Sequence, residues 1–377
     1  MDFEFSDEQE QLRDAVRRWV DKGFGFERRH ALAKAGGFTR AVLGEINGLG
    51  LAGLAVPEAH GGLGFGAVEA MVVMEELGRG LVNAPYAQAA LVAPTLLSYA
   101  PAELQQAWLP KIAAGEALLV LAQQERHSRW RLDQVALRAA EAGGQWKLSG
   151  TKIVVAAGDE ADGFMVSARV SGDECDAAGV ALFVVDKGAS GVTVRGYPTQ
   201  DGARAADLVL DYAPATLLTR QGHDALAHGA DVAIAALCAE GVGLMDRMVA
   251  ITVDYMHQRK QFGVAIASFQ ALRHRIADVK MQLELGRSMS YFASLKLGEP
   301  GEARRRALSQ AKVQLGNAMR FVGQQCTQLH GGIGVTDEYI SSHYFKRMTV
   351  IELSFGDTMH HLGEVSARMR DGAGVFA

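Results

Sequence analysis

Arg259-Lys-Gln-Phe-Gly263, followed by Ile266-Ala-Ser-Phe-Gln270, separates two long stretches of helical period, expected over Ala230 to Gln258 and Ser268 to Lys296. Gln328-Leu-His-Gly-Gly-Ile-Gly334 closes a third helix, expected over Glu302 to Leu329, and a fourth is expected over Thr358 to Arg370. Such a run of helices joined by short turns predicts a helical C-terminal part. Arg259 supplies a fixed charge at one turn, Gly331, Gly332 and Gly334 remove side chains at another, and Gln328 offers both a donor and an acceptor. A phosphate-bearing ligand needs that combination of cation and approachable backbone. Each feature also has a plainer reading: Arg259 complementing a helix dipole, Gly331-Gly332 stopping a helix, and Phe262 packing in a core.

Upstream of these helices the period changes. Lys152-Ile-Val-Val155, Gly163-Phe-Met-Val-Ser167, Val180-Ala-Leu-Phe-Val-Val185 and Ala206-Asp-Leu-Val-Leu210 read as short strands, with turns at Gly143-Gly144, Gly158-Asp159 and Asp201-Gly202 between them. Before Leu118 the helical period holds again: Ser6 with Asp7, Glu8 and Gln9 is an N-cap signature, and Leu12, Val16, Trp19 and Val20 form one stripe. Further helices are expected over Ala67 to Leu77 and Ala87 to Tyr99. The chain therefore reads as α+β in the order α, β, α, with parts at 1–117, 118–226 and 227–377.

The gross numbers agree with a multi-part globular protein. A length of 377 residues exceeds what one hydrophobic core usually serves, and 49% hydrophobic with 21% charged residues is ordinary globular usage. The net charge of -5 comes without a long single-sign block, which leaves no footprint for nucleic acid or an anionic membrane. Cys175, Cys238 and Cys326 lack C-x-x-C spacing, and His360-His361 are adjacent rather than at ligand spacing, so no metal is expected. The acidic start is unlike a signal peptide, and the apolar run from Asp231 to Met245 is too short and too interrupted to span a membrane. A cytoplasmic location is expected.

Arg259-Lys-Gln-Phe-Gly263, Gln328-Leu-His-Gly-Gly-Ile-Gly334, Gly53-Leu-Ala-Val-Pro-Glu-Ala-His-Gly-Gly62 and Gly150-Thr-Lys152 together resemble the signatures of acyl-CoA dehydrogenases, in the family's order along the whole chain. The resemblance implies an N-terminal helical domain, a middle β-barrel domain and a C-terminal four-helix bundle. It also implies FAD, held across a subunit boundary by the Arg259 and Gln328 segments, with Arg259, Gln261, Phe262, Gln270, Gln328, Gly331, Gly332 and Thr358 as cofactor-binding positions. The implied reaction is α,β-dehydrogenation of an acyl-CoA thioester: a glutamate removes the α-proton while the β-hydride passes to the flavin.

The sequence departs from the family at the base. Phe355-Gly-Asp-Thr358 matches the segment that usually carries the glutamate, and Gly356 occupies its place. The family's second base position falls on Ala233. Two carboxylates remain as catalytic candidates, Asp357, whose plainer reading is an N-cap, and Glu240, buried in Leu237-Cys-Ala-Glu-Gly-Val-Gly243 and in need of a cation such as arginine. Leu121-Ala-Gln-Gln-Glu-Arg-His-Ser128 replaces the family's usual flavin-ring segment, and Ile153-Val-Val155 replaces the usual aromatic after Gly-Thr-Lys.

With Tyr197-Pro-Thr-Gln-Asp-Gly202, these departures resemble the small-subunit-like subgroup of pimeloyl-CoA dehydrogenases. That implies either a homo-oligomer or a heterotetramer with a large acyl-CoA dehydrogenase subunit. Two other classes share the fold expectation, a flavin-dependent oxidase or monooxygenase and a non-catalytic flavin-sharing subunit.

Overall fold

The computed structural model describes residues 5–37 and 40–369. Among them six helices come first: α1 (Asp7–Gly23), α2 (Phe26–Lys34), α3 (Arg40–Asn47), α4 (Ala67–Arg79), α5 (Ala93–Leu97) and α6 (Ala102–Ala113). Seven strands follow: β1 (Leu119–Ala122), β2 (Arg138–Ala142), β3 (Gln145–Ala156), β4 (Gly163–Arg169), β5 (Val180–Asp186), β6 (Val192–Pro198) and β7 (Arg204–Thr219). The last part holds α7 (Gly222–Gln258), α8 (Gln270–Lys296), α9 (Gly301–His330), α10 (Ile340–Leu353) and α11 (Thr358–Met369), with a small hairpin of β8 (Lys260–Gln261) and β9 (Val264–Ala265). The class and the α, β, α order are those read from the sequence. Arg370, the expected end of the last helix, lies outside the described residues.

The helix expected over Ala87 to Tyr99 is irregular. Its first turns, Ala87–Val92, are π-helical, and the Ala93 N–H reaches back to the Gln88 carbonyl before α5 begins with Pro94 in its first turn. Helix α7 starts at Gly222, earlier than the expected Ala230, and a side chain at Gly222 would fall 2.5 Å from Ala181 Cα. Close packing selects glycine there despite its poor helix propensity.

The chain forms two compact units, each discontinuous in sequence: Met1–His30 with Ala67–Asn83 and Ile234–Ala377, and Ala31–Gly66 with Ala84–Ala233. In the second unit a sheet closes on itself. β4 pairs β5, β5 pairs β7, β7 pairs β3, β3 pairs β2, and β2 returns to β4 through Arg138 and Arg169. β4 is buried along its whole length, which is why it reads as a continuous apolar run rather than an alternation. Arg169, 1% exposed, binds the loops at the barrel's end by donating to the carbonyls of Asp133, Val135, Ser171, Glu174 and Asp176.

In the first unit the tightest crossing is between α4 and α7. A methyl group at Gly243 would coincide with the Glu75 carbonyl oxygen, and one at Gly78 with that of Glu240. Bare backbone on both helices lets their axes approach, and the core below is built from Leu244, Met245, Met248, Leu283, Leu315 and Val322. Tyr344 of α10 ties the same region by donating to the Arg79 carbonyl at 2.6 Å.

The crossing gives a direct expectation. Gly243→Ala should destabilise the protein by about 1 to 3 kcal/mol through overpacking, despite alanine's better helix propensity. Gly44→Ala, in α3 where an added methyl meets nothing within 4 Å, should instead stabilise by about 0.5 to 1 kcal/mol. Chemical denaturation of the two variants checks both signs.

Candidate functional site

One end of the helical unit gathers the two segments that the sequence singles out. Met256 of α7, Ile266 after the hairpin and Leu329 of α9 pack as a small cluster, and the Tyr255 and His330 rings lie 4.7 Å apart. The Arg259 hairpin and the Gln328–Gly334 segment therefore emerge side by side. The Arg259 guanidinium is exposed, with its backbone fixed by N–H donation to the Tyr255 carbonyl at 2.8 Å and acceptance from Ile266 N–H at 2.9 Å.

Gln261 and Val264 pair across a two-residue turn, Phe262-Gly263, whose φ values are 53° and 83°. Both central residues must be left-handed in a tight hairpin that follows strand twist. Glycine takes that conformation freely, whereas phenylalanine is strained by roughly 1 to 2 kcal/mol. The ring is 92% exposed and meets Phe269 edge-on with centroids 6.1 Å apart. Core packing does not account for a strained, solvent-facing aromatic at a hairpin tip, which makes it a candidate for function.

Gln270 opens α8, whose N-cap Phe269 provides no side-chain acceptor. The Leu272 and Arg273 N–H groups return to the Phe269 carbonyl, while no side chain of the N-cap serves the N–H groups ahead of them, a favourable place for an anion. Gln328 is exposed, and at Gly331 and Gly332 an added Cβ would meet nothing within 4 Å. A guanidinium, an uncapped helix start and bare backbone fit the pyrophosphate of a dinucleotide such as FAD. His330, in the same motif, donates from Nδ1 to the Cys326 carbonyl at 2.8 Å, and burial lowers its pKa.

Thr358, Gly356 and Asp357 lie further along the bundle. Gly316 of α9 faces Thr358, which puts them about 18 Å from Gln328 at the α-helical rise. The loop that carries them is held from below. Lys312 of α9, 1% exposed, donates to the carbonyls of Ile351, Glu352 and Gly356 at 2.9, 2.8 and 2.8 Å. Burial pulls its pKa down to about 8.

His361 is fully buried, and burial with the Lys312 charge drives its pKa to about 2, so the ring is neutral. Its Nε2 donates to the Phe355 carbonyl at 3.0 Å and its Nδ1 accepts from the Ser309 hydroxyl at 3.1 Å. Glu352 accepts from the Thr358 amide at 3.0 Å, from the Thr358 hydroxyl at 2.8 Å and from Arg320 at 3.2 Å.

Inside this frame Phe355 has φ 55° and Gly356 φ 117°, and a Cβ at 356 would lie 2.5 Å from both His360 Cδ2 and His361 Nε2. The two remaining candidates are engaged as well. Asp357 caps α11, its Oδ1 accepting from the His360 N–H at 2.7 Å. Glu240, 3% exposed, is clamped by Arg347 through Nε at 2.6 Å and Nη2 at 2.8 Å, a two-point pairing that offsets the cost of burying the carboxylate. Lys312, His361 and Glu352 have no place in the motif reading. The available signal was a lysine on the buried stripe Leu308, Ala311, Leu315 and Met319.

The barrel unit holds the other unusual segments. Glu125 of Leu121–Ser128 accepts from Lys152 Nζ at 2.6 Å and from the amides of Ala136 and Leu137 at 2.9 and 3.1 Å. Lys152 is fully buried and also donates to Ser167 at 2.9 Å; burial pulls its pKa to about 8 against the pull of Glu125. Next to it β3 bulges against β7, and Val154 is left-handed at φ 52° and 49% exposed. A β-branched residue in that conformation is an outlier, and bulges of this kind redirect side chains.

Family models described as the N-terminal, middle and C-terminal domains of acyl-CoA dehydrogenase match residues 6–116, 125–211 and 220–369 in that order. The chain belongs to the acyl-CoA dehydrogenase family. Members of this family are oxidoreductases acting on CH–CH donors and depend on FAD. FadE27, an acyl-CoA dehydrogenase of Mycobacterium tuberculosis, is 27% identical over 89% of this chain and 89% of its own length.

Among solved structures, a variant of the Tcur3481-Tcur3483 steroid acyl-CoA dehydrogenase superposes with a TM-score of 0.88 at 29% identity, covering 97% of this chain and 99% of that one. The ChsE4-ChsE5 complex from Mycobacterium tuberculosis gives 0.88 at 25% identity, covering 98% and 99%. The second of these is a complex of ChsE4 with ChsE5.

Two outcomes follow from this geometry. Restoring the family's glutamate by Gly356→Glu should cost about 2 to 4 kcal/mol, because it adds a side chain where two imidazoles stand and strains the backbone; the fall in melting temperature is the readout. Phe262→Asn should leave the melting temperature within a few degrees. Relief of about 1 kcal/mol of strain offsets the lost Phe269 contact of similar size. Thermal unfolding of the variant beside wild type is the readout.

Proposed function

We propose that this chain serves FAD-dependent α,β-dehydrogenation of an acyl-CoA thioester as the small subunit of a heterotetramer with a large acyl-CoA dehydrogenase subunit. The observation that carries the reading is the closed loop at Gly356. The space for a glutamate side chain is filled by His360 and His361, and the loop is fixed by Lys312. Asp357 and Glu240 keep their cap and their arginine, so the α-proton is taken by a carboxylate of the large subunit.

FAD, when bound, supplies the hydride acceptor. This chain contributes the clasp: Arg259 and the start of α8 neutralise the pyrophosphate, Gly331 and Gly332 let the backbone approach it, and Gln328 and Gln261 provide polar contacts at its edges. Phe262 at the hairpin tip meets the neighbouring subunit. The resemblance to pimeloyl-CoA dehydrogenase small subunits suggests a dicarboxylic acyl group. No described helix is long and apolar enough to cross a membrane, and a cytoplasmic location is part of the same proposal.

Purification alone and with a co-expressed large subunit tests the reading. The chain alone should be nearly colourless and inert toward acyl-CoA esters; the pair should be yellow and bleach anaerobically with one of them. A yellow, self-sufficient homo-oligomer whose proton abstraction disappears in Asp357→Asn or Glu240→Gln would overturn it in favour of an internal base. Rapid oxygen consumption by the reduced protein would point to an oxidase instead.

A further inference from the structure

Between the glycine turn Gly331–Val335 and α10 stands Asp337, and it is held from three directions. Its Oδ2 is 3.0 Å from His30 Nε2 and its Oδ1 is 3.0 Å from Lys346 Nζ, while its backbone carbonyl accepts from His343 Nε2 at 2.8 Å. Behind His343, Arg29 Nη1 lies 2.5 Å from Nδ1. Arginine can only donate, so Nδ1 carries the lone pair and Nε2 the proton, which is the tautomer the Asp337 carbonyl requires. Phe26 stacks flat on His30 at 5.3 Å and edge-on to His343 at 5.4 Å, which fixes both rings. The strut thus runs from α2, through Arg29 and His30, to a loop anchored again by α10 through His343 and Lys346.

The ligand atoms of His30, Asp337 and His343 lie within 4.8 Å of one another, close enough for a metal ion. The surrounding cations argue against one. A metal-bound imidazole donates outward from its other nitrogen, but here that nitrogen faces an arginine donor, and Asp337 already carries a lysine. The cluster is a mechanical anchor.

What it anchors is a short 3-10 helix, Gly331–Val335, whose exit closes on itself through the Thr336 N–H donating to the Ile333 carbonyl at 3.2 Å and whose Gly334 is buried against Thr327 and His330 of α9. Across the glycine turn, the Thr336 hydroxyl donates to the Ile333 carbonyl at 2.9 Å and the Ser341 hydroxyl approaches the Gly334 carbonyl at 3.5 Å, while Gly331 and Gly332 are open. Its first residues rest on the last turn of α9, and its far end leads within two residues to Asp337. We propose that Asp337, braced by His343 and Arg29, is the positioning residue of the glycine clasp and sets how tightly the dinucleotide is held. The ligand in this inference rests on the clasp reading above; the mechanical part does not.

The strut has an acid-sensitive signature. Burial lowers the His343 pKa below its ordinary value, with the Arg29 and Lys346 charges in the same direction and the Asp337 carbonyl and carboxylate opposing. His30 and Lys346 hold the Asp337 carboxyl down to about 2, so it keeps its charge in mild acid. A histidine whose folded pKa is depressed stabilises the fold fully above its unfolded value near 6.5, and the contribution is lost as pH falls from there through the folded value. Protonated His343 would point an N–H at Arg29 and push the strut apart. Glutamine mimics the neutral ring, with an amide N–H for the Asp337 carbonyl and an oxygen for Arg29, yet cannot titrate.

The test uses the full chain in its FAD-bearing complex, comparing wild type, Asp337→Asn and His343→Gln between pH 5 and 8. Two readouts are taken, amide hydrogen exchange across 331–336 and FAD affinity from flavin fluorescence. Asp337→Asn should speed exchange in the glycine turn and weaken FAD by about tenfold, the effect of one charge-assisted hydrogen bond. Wild type should show the same loosening as the pH drops below about 6.5, and His343→Gln should not. Exchange in the turn that is unchanged in Asp337→Asn, or acid loosening that persists in His343→Gln, overturns the strut. Faster exchange with unaltered FAD affinity overturns the clasp and leaves the strut standing.

Discussion

One buried ammonium group decides what the loop at Phe355-Gly356 can be. Lys312 has no carboxylate within hydrogen-bonding distance; it collects three backbone carbonyls, two from the end of α10 and one from Gly356. Those carbonyls are the ones a helix end leaves unpaired, and removing the lysine would leave them buried without donors. The positive φ of Phe355 and Gly356 is the backbone path that brings the third carbonyl onto the ammonium. Once that path is set, His361 can reach the Phe355 carbonyl, Asp357 falls at the cap of α11, and no side chain fits at 356. Charge satisfaction, strain and the lost base are one arrangement.

Much of the architecture was legible because it rests on periodicity. The capping box at Ser6 and Gln9, the apolar stripe of α9 and the buried run of β4 are local patterns, and they form where the sequence places them. The Arg259 and Gln328 segments drew attention for another reason, since each carries unusual residues at fixed spacing, and the fold brings them side by side. The interactions that close the loop at 356 were not legible, because their acceptors are backbone carbonyls that carry no sequence signal. Glu240 lies between: its apolar context shows that it needs a cation, but only the folded chain reveals Arg347 on α10 as the partner. Phe262 was visible as a motif residue, whereas its left-handed strain depends on the two-residue hairpin closing around it.

The helical unit divides into satisfied and unsatisfied polar regions. Around Lys312 and Glu240 the buried polar groups named above find partners, and the geometry is over-determined. Around Arg259, the start of α8 and Gly331-Gly332 the reverse holds: a charge faces solvent, a helix begins without a cap and backbone is left bare. Local rules are broken in this second region, as they commonly are where a protein meets a ligand. The strut at Asp337 adjoins this second region and ties the end of the glycine turn to α2 and α10.

A chain that keeps an open anion clasp while closing its base cavity is unstable as a solitary enzyme design but coherent as half of a shared one. If the clasp grips a dinucleotide lodged mainly in another subunit, as the proposed heterotetramer requires, selection on this chain acts on the hairpin tip, the α8 start and the glycine turn. The loop at 356 is then free to exchange a reactive carboxylate for packing. The exchange also has a physical advantage. A buried, ionisable glutamate beside two imidazoles and an ammonium would need its proton state controlled, whereas glycine there lets Lys312 and His361 hold the turn without a further titratable group between them. The closed loop then becomes a rigid wall against which a partner's site can be built.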